Sequence, residues 1–204
     1  MRPIKLAAAT VLVLVIATVI MLHTSQVYAG VYNRSSAVAW ADAHAKDRPS
    51  NYPSYGTGDG CNDCTNFISQ VLAQGGVPQI RGSNDAFRWY AYKVLLVWNV
   101  SKTWAATDWL NTHASQYQSS RYQYISGGPS TLGAGDFFVM NLPTNPFNGP
   151  DHGRVVLGWG TVQEGDQIGQ WRLLGSQHCV DRKRVRWDYN IPGGTPIWAW
   201  RVIY

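Results

Sequence analysis

The 204-residue sequence predicts an α+β fold with a mostly antiparallel sheet, because helical patterns lie in its first part and short β-type runs follow one another after residue 135. The runs 136–142, 152–160, 170–178, 183–187 and 197–204 are rich in Val, Leu, Trp, Phe and Ile. Gly, Pro, Asn or Asp separates them, as successive strands require.

The chain opens with Arg2 and Lys5, an apolar run from Leu6 to Leu22, and Val27 and Ala29 at the spacing a signal peptidase reads. This predicts export with cleavage after Ala29, the alternative being an uncleaved N-terminal anchor. Residues 30–204 are then expected to form one domain large enough for its own core. Removing Arg2 and Lys5 leaves 15 basic residues against 12 acidic ones, a mild positive balance. The only basic cluster, DRKRVRW at 181–187, reads either as a solvated strand face or as a patch attracted to an anionic polymer. No nucleic-acid module is recognisable, and no membrane contact is expected after cleavage.

The first helix is expected in NRSSAVAWADAHAKDRP (33–49), with Ser35 or Ser36 as N-cap and Pro49 past its end. His44 on it reads as a surface residue. The stretch 48–62 is dense in Pro, Gly, Ser and Asn and is therefore loop. Asp63 is placed to cap a second helix from Cys64 to about Gln74, closed by Gly75 and Gly76, with Phe67, Ile68, Val71 and Leu72 on its buried side. Cys64 falls in the first turn, where free N–H groups and the helix dipole favour a thiolate. Between 81 and 124 many Trp and Tyr residues suit either stacking on sugar rings or core filling. Only a helix near 107–115 is predicted there, with His113 on it reading as a surface or interface residue.

A thiol at a helix start needs a base from elsewhere in the fold. His152 opens one predicted strand and His178 ends the next. If the two are neighbours, His152 can meet Cys64 while His178 orients its imidazole, with Ser176 and Gln177 as alternative orienting groups. Asp151 is expected to turn its side chain away from Cys64.

The segments YNRSSAVAWADAHA, DCTNFISQVLAQGG, LGAGDFFVMN, DHGRVVLGWG and SQHCVDR, in that order, resemble the putative amidase domain family of bacterial proteins, itself similar to papain-like cell-wall cysteine peptidases. The resemblance implies a papain-like fold, with the nucleophile at a helix N-terminus packed on the sheet, Cys64 as nucleophile, His152 as base and His178 as third polar residue. It also implies a cofactor-independent, monomeric enzyme acting on an amide of peptidoglycan or of another secreted substrate. Arg154, third in the strand after Asp-His, departs from the small or apolar residue usual in the family. Tyr55 and Asn62, in the loop before the nucleophile, are candidates for an oxyanion donor beside the Cys64 backbone N–H. With His178 at the site, Cys179 on the opposite strand face is placed to bond Cys61. A Cys61–Cys64 redox disulfide and a zinc site of Cys61, Cys64, His178 and Cys179 are the alternatives. A non-catalytic wall-binding protein on the same fold is the competing functional class.

Overall fold

Strand-forming residues buried on both sides decide the centre of this molecule. In the computed structural model, which describes residues 31–57, 62–144 and 149–204, strand β4 (Phe137–Met140) is buried at all four positions. Phe137 and Val139 join a core shared with the helices, while Phe138 and Met140 join a second core on the other face. Such a continuous apolar run belongs in the middle of a covered sheet. The sheet has six antiparallel strands in the order β3 (Tyr122–Tyr124), β8 (Ile197–Val202), β4, β5 (His152–Thr161), β6 (Trp171–Gln177) and β7 (Arg182–Arg186). This is the expected α+β architecture.

Helix α1 (Arg34–His44) starts two residues earlier than a cap at Ser35 would place it. Asn33 accepts a hydrogen bond from the Ser36 backbone N–H at 2.9 Å, so Asn33 is the cap instead of Ser35 or Ser36. Helix α2 (Cys64–Gln74) is buried from Cys64 through Leu72, polar residues included. Its apolar side presses on β5, where a Cβ at Gly153 would lie 2.5 Å from Ile68 Cδ1. Glycine at 153 therefore lets the helix that begins at Cys64 approach the strand that begins at His152.

The aromatic segment is largely core. Trp89 and Trp104 are fully buried and stacked, centroids 4.8 Å apart. Their indole N–H groups donate to Ser69 (2.9 Å) and Asn66 (2.7 Å), which satisfies polar side chains of buried α2. Three elements in this region lie outside the sequence-based expectation: a hairpin of β1 (Ala91–Val94) and β2 (Val97–Val100), the short helix α3 (Lys102–Ala105), and β3. Helix α4 (Thr107–Gln116) matches the predicted one, but His113 on it is buried, a correction to its surface assignment. Its Nδ1 pairs with the Ala86 carbonyl at 2.7 Å, and burial lowers its pKa to about 4. The basic cluster on β7 is substantially ion-paired, Arg184 with Asp42 at 2.6 Å and Arg186 with Asp188 at 2.5 Å.

Residues 31–204 form one compact unit, and among the described residues every core residue lies within it. The expected leader and Cys61 lie outside the described residues. Among the described residues no helix is long and apolar enough to cross a membrane.

Candidate active site

Cys64 stands at the first position of α2, whose N-terminus receives no side-chain cap. The first-turn N–H groups there, and the positive end of the helix dipole, are thus directed at the thiol's surroundings. Asp63 occupies the cap position but adopts helical angles, φ −103° and ψ −4°. Its carboxylate is used differently from a cap: one oxygen accepts from the Tyr55 backbone N–H (3.0 Å) and the Asn66 amide (2.7 Å), the other from Arg48 Nε and His178 Nδ1 (both 2.6 Å). The expected capping bond is replaced by a buried ionic cluster.

The structure brings Cys64 and His152 together. The thiol is free and 5% exposed, and the imidazole is its hydrogen-bonding and charge partner. Burial opposes ionisation of Cys64, but the charge of His152 and hydrogen bonds from His152, Thr107 and Thr65 outweigh it and hold the thiol below its ordinary pKa. His152 moves the opposite way. Burial disfavours its cation, yet the facing Cys64 and a hydrogen bond to Gln177 raise its pKa despite repulsion from Arg154. The directions are those of a thiolate–imidazolium pair.

His178 is not the group that orients His152. Strand pairing sets Val155 opposite Ser176, so Arg154 faces Gln177 across the ladder, and Gln177 shares its sheet face with Arg154 and His152. His178, one residue on, falls on the helix side, stacked on Phe67 at 4.2 Å. Both its ring nitrogens are engaged, Nδ1 with Asp63 and Nε2 with the His44 carbonyl at 2.7 Å. Gln177 therefore supplies the contact that His178 was expected to make, and the one-residue alternation of a strand is the reason.

Gln177 is itself held. Its oxygen accepts from buried Arg154 (Nε, 2.7 Å, and a second bond from the same guanidinium), and its amide donates to the Cys179 carbonyl at 2.9 Å. Arg154 also donates to the carbonyls of Trp187 (2.6 Å) and Tyr189 (3.1–3.2 Å). Burial lowers its pKa to about 10. Gly175 leaves the space it needs, since a Cβ there would meet Arg154 Cδ at 2.6 Å. Arg154 thus anchors the glutamine.

A cavity of about 410 Å³ opens over Cys64, lined by Asn62, Thr65, Ala105, Ala106, Thr107 and Asp151 among others. The hydroxyls of Thr65 and Thr107 are 2.7 Å from each other and each 3.8 Å from the Cys64 sulfur. Sequence offered no sign of this pair, because Thr107 arrives from a different helix. Asn62 lines the cavity. Tyr55 is not among the lining residues, and its backbone N–H donates to Asp63. Asp151 turns its carboxylate to the Leu142 backbone N–H at 2.9 Å, away from the thiol as expected. Cys179 is not a free thiol, and its sulfur accepts the Asp63 backbone N–H at 3.0 Å. Its expected partner Cys61 lies outside the described residues.

Searches of curated proteins and of solved structures return no match. A family model described as "Putative amidase domain" matches residues 31–202, nearly the whole compact unit. That span contains the helix of Cys64, the strand of His152 and the glutamine between sheet and imidazole, and the chain belongs to the putative amidase domain family, an amidase-type hydrolase family.

Proposed function

We propose that this protein is an exported cysteine amidase or peptidase that cleaves an amide of cell-wall peptidoglycan. The observation that carries the reading is the free Cys64 thiol at an uncapped helix N-terminus with the His152 imidazole as its charge partner. Membership of the amidase family supports the reaction class, and the N-terminal apolar run with its small-residue cleavage site supports export.

In this reading the Cys64 sulfur attacks the amide carbonyl carbon, forming a C–S bond and an oxyanion. The Cys64 backbone N–H stabilises that oxyanion, joined by Asn62 or the Thr107 hydroxyl from the cavity wall. The His152 imidazolium gives its proton to the leaving nitrogen as the C–N bond breaks, leaving a thioester and a neutral ring. Neutral His152 then takes a proton from water, whose oxygen attacks the thioester. The carboxylic acid departs and the thiol is restored. Gln177 fixes the ring during both transfers. A Cys61–Cys179 disulfide bracing the nucleophile loop belongs to the same proposal, supported by the place of the Cys179 sulfur against the Asp63 backbone.

Iodoacetamide labelling at pH 6.5 and digestion of purified peptidoglycan test it together. Rapid single-site modification of Cys64, lost in His152→Ala, is expected, with new amine and carboxyl termini in the digest identified by mass. An unreactive Cys64 in folded protein removes the mechanism and leaves a wall-binding protein. A reactive Cys64 with no new termini removes the substrate and retains the chemistry.

A further inference from the structure

The β1–β2 hairpin ends in four consecutive apolar residues, Val94, Leu95, Leu96 and Val97, which are 54%, 93%, 87% and 70% exposed. The fold itself does not call for them. A two-residue hairpin turn favours Gly, Asn or Asp, because positive φ is needed there. Here Leu95 takes φ 54°, a left-handed conformation that its Cβ disfavours. The tip therefore carries a conformational cost and also exposes aliphatic surface to water, where a polar turn would avoid both.

Behind the tip the chemistry changes, with Lys93 paired across the hairpin to Trp98 and Tyr92 to Asn99. Trp98 and Tyr92 stand one and two residues from the apolar run, each beneath a cation: Lys93 Nζ is 5.6 Å from the Trp98 ring centroid, and the Arg81 guanidinium 4.3 Å from that of Tyr92. Lys102 covers Trp109 in the same way at 4.9 Å. Between residues 81 and 105 the charged side chains are Arg81, Arg88, Lys93, Lys102 and a single acid, Asp85. That carboxylate is occupied by the Ser83 hydroxyl and the Phe87 backbone N–H. An aliphatic tip, backed at its base by an indole, a phenol and cations, presents the groups met between the acyl region and the headgroups of a bilayer.

We propose that this hairpin is a peripheral anchor for an anionic lipid surface. Leu95 and Leu96 enter the acyl boundary, Trp98 and Tyr92 lie at headgroup level, and Lys93 and Arg81 meet lipid phosphates. This departs from the sequence-based expectation of no membrane contact after cleavage, since a hairpin tip can adsorb without spanning. A narrow convex tip fits a fluid surface that closes around it, whereas a protein partner would need a matching pocket. Strand β2 runs on into α3 and α4, whose residues 105–108 line the cavity over Cys64, so adsorption through the tip holds that cavity near the surface.

The test uses residues 30–204, which carry their own core, so that the N-terminal apolar run cannot supply the binding. Co-sedimentation is measured with vesicles of phosphatidylcholine alone and of phosphatidylcholine with an equal part of phosphatidylglycerol. Binding to the anionic vesicles is expected. The double variant Leu95→Ser/Leu96→Ser should lower the partition coefficient by about tenfold or more, and Lys93→Gln by about fivefold, an effect that shrinks as salt is raised. Iodoacetamide labelling of Cys64 and the near-UV spectrum should match the unsubstituted protein, showing that the fold is kept. Absence of binding to anionic vesicles at low salt overturns the proposal, as does binding insensitive to the double substitution. Concentration-dependent dimers abolished by Leu95→Ser/Leu96→Ser would overturn it in favour of a second copy of the chain.

Discussion

Two histidines flank the start of the same helix, His152 beside Cys64 and His178 beside Asp63, and what they meet there divides their roles. His178 is fully buried and saturated: a carboxylate on one nitrogen, a carbonyl on the other, and Phe67 under its face. Arg48 bridges the same Asp63 to Asp181, bonding the latter at 2.7 Å, so this imidazole closes a network that ties loop, helix and sheet. His152 instead faces a thiol that can gain or lose its proton, with Gln177 behind it, and Cys64 opens on a cavity. Identical side chains are thus a brace in one place and, in the proposed mechanism, a proton carrier in the other. The difference lies in whether the partners leave the ring anything to exchange.

The largest expected effect falls on the His152 side. Cys64→Ala and His152→Ala should each lower amide hydrolysis by about a thousandfold or more without shifting the midpoint of urea unfolding greatly. If His178→Ala alone matched that loss in folded protein, the division between the two rings would fail. His178→Ala is expected to cost about 3 kcal/mol or more of stability, read from the urea midpoint, because Asp63 is left buried with one partner fewer and a cavity opens beneath Phe67. Activity of the surviving folded fraction should stay within about threefold of the original, a margin on the order of 1 kcal/mol.

His113 sharpens the comparison as a third buried ring, one held neutral. Its pKa falls from 6.5 to about 4 on folding, so between these values the unfolded chain binds the proton that the folded chain refuses. Stability should therefore fall as pH drops from 6.5 towards 4, by about 3 kcal/mol over the window. Thermal melts of the protein and of His113→Gln across that range measure it, and a parallel loss in both would assign the acid sensitivity elsewhere.

The smallest effect is predicted for Gln177→Ala: a fall of about ten- to a hundredfold in turnover, as for other residues that orient a functional group. Unlike a purely structural change, it should move the pH profile of Cys64 alkylation towards alkaline values, since the imidazolium loses the hydrogen bond that raises its pKa. His152→Ala should move that profile further. In the unsubstituted protein the thiolate persists below the ordinary thiol range, and reactivity declines only as pH falls through the lowered pKa.

The elements near the candidate site were legible because their signals are local. Gly75 and Gly76 end α2, a near-continuous apolar run writes β8, and a Cys before FISQVL sits at a helix start in any packing. The β1–β2 hairpin was not legible, since Leu95-Leu96 lacks the residues by which such turns are recognised. Asn33 outcompeted the serines as cap, and Asp63 gave up capping for Arg48 and His178, partners that sequence separates from it by 15 and 115 positions.

The sequence by itself determined the α+β class, the helix that opens at Cys64 and the strand that opens at His152, because periodicity and end signals act over a few residues. Only the tertiary structure decided that Gln177 and not His178 serves His152, that Thr107 comes beside the thiol, and that Arg154 is an internal anchor. Those outcomes depend on strand register and on which sheet face a residue occupies, and a one-residue shift along a strand reverses the face.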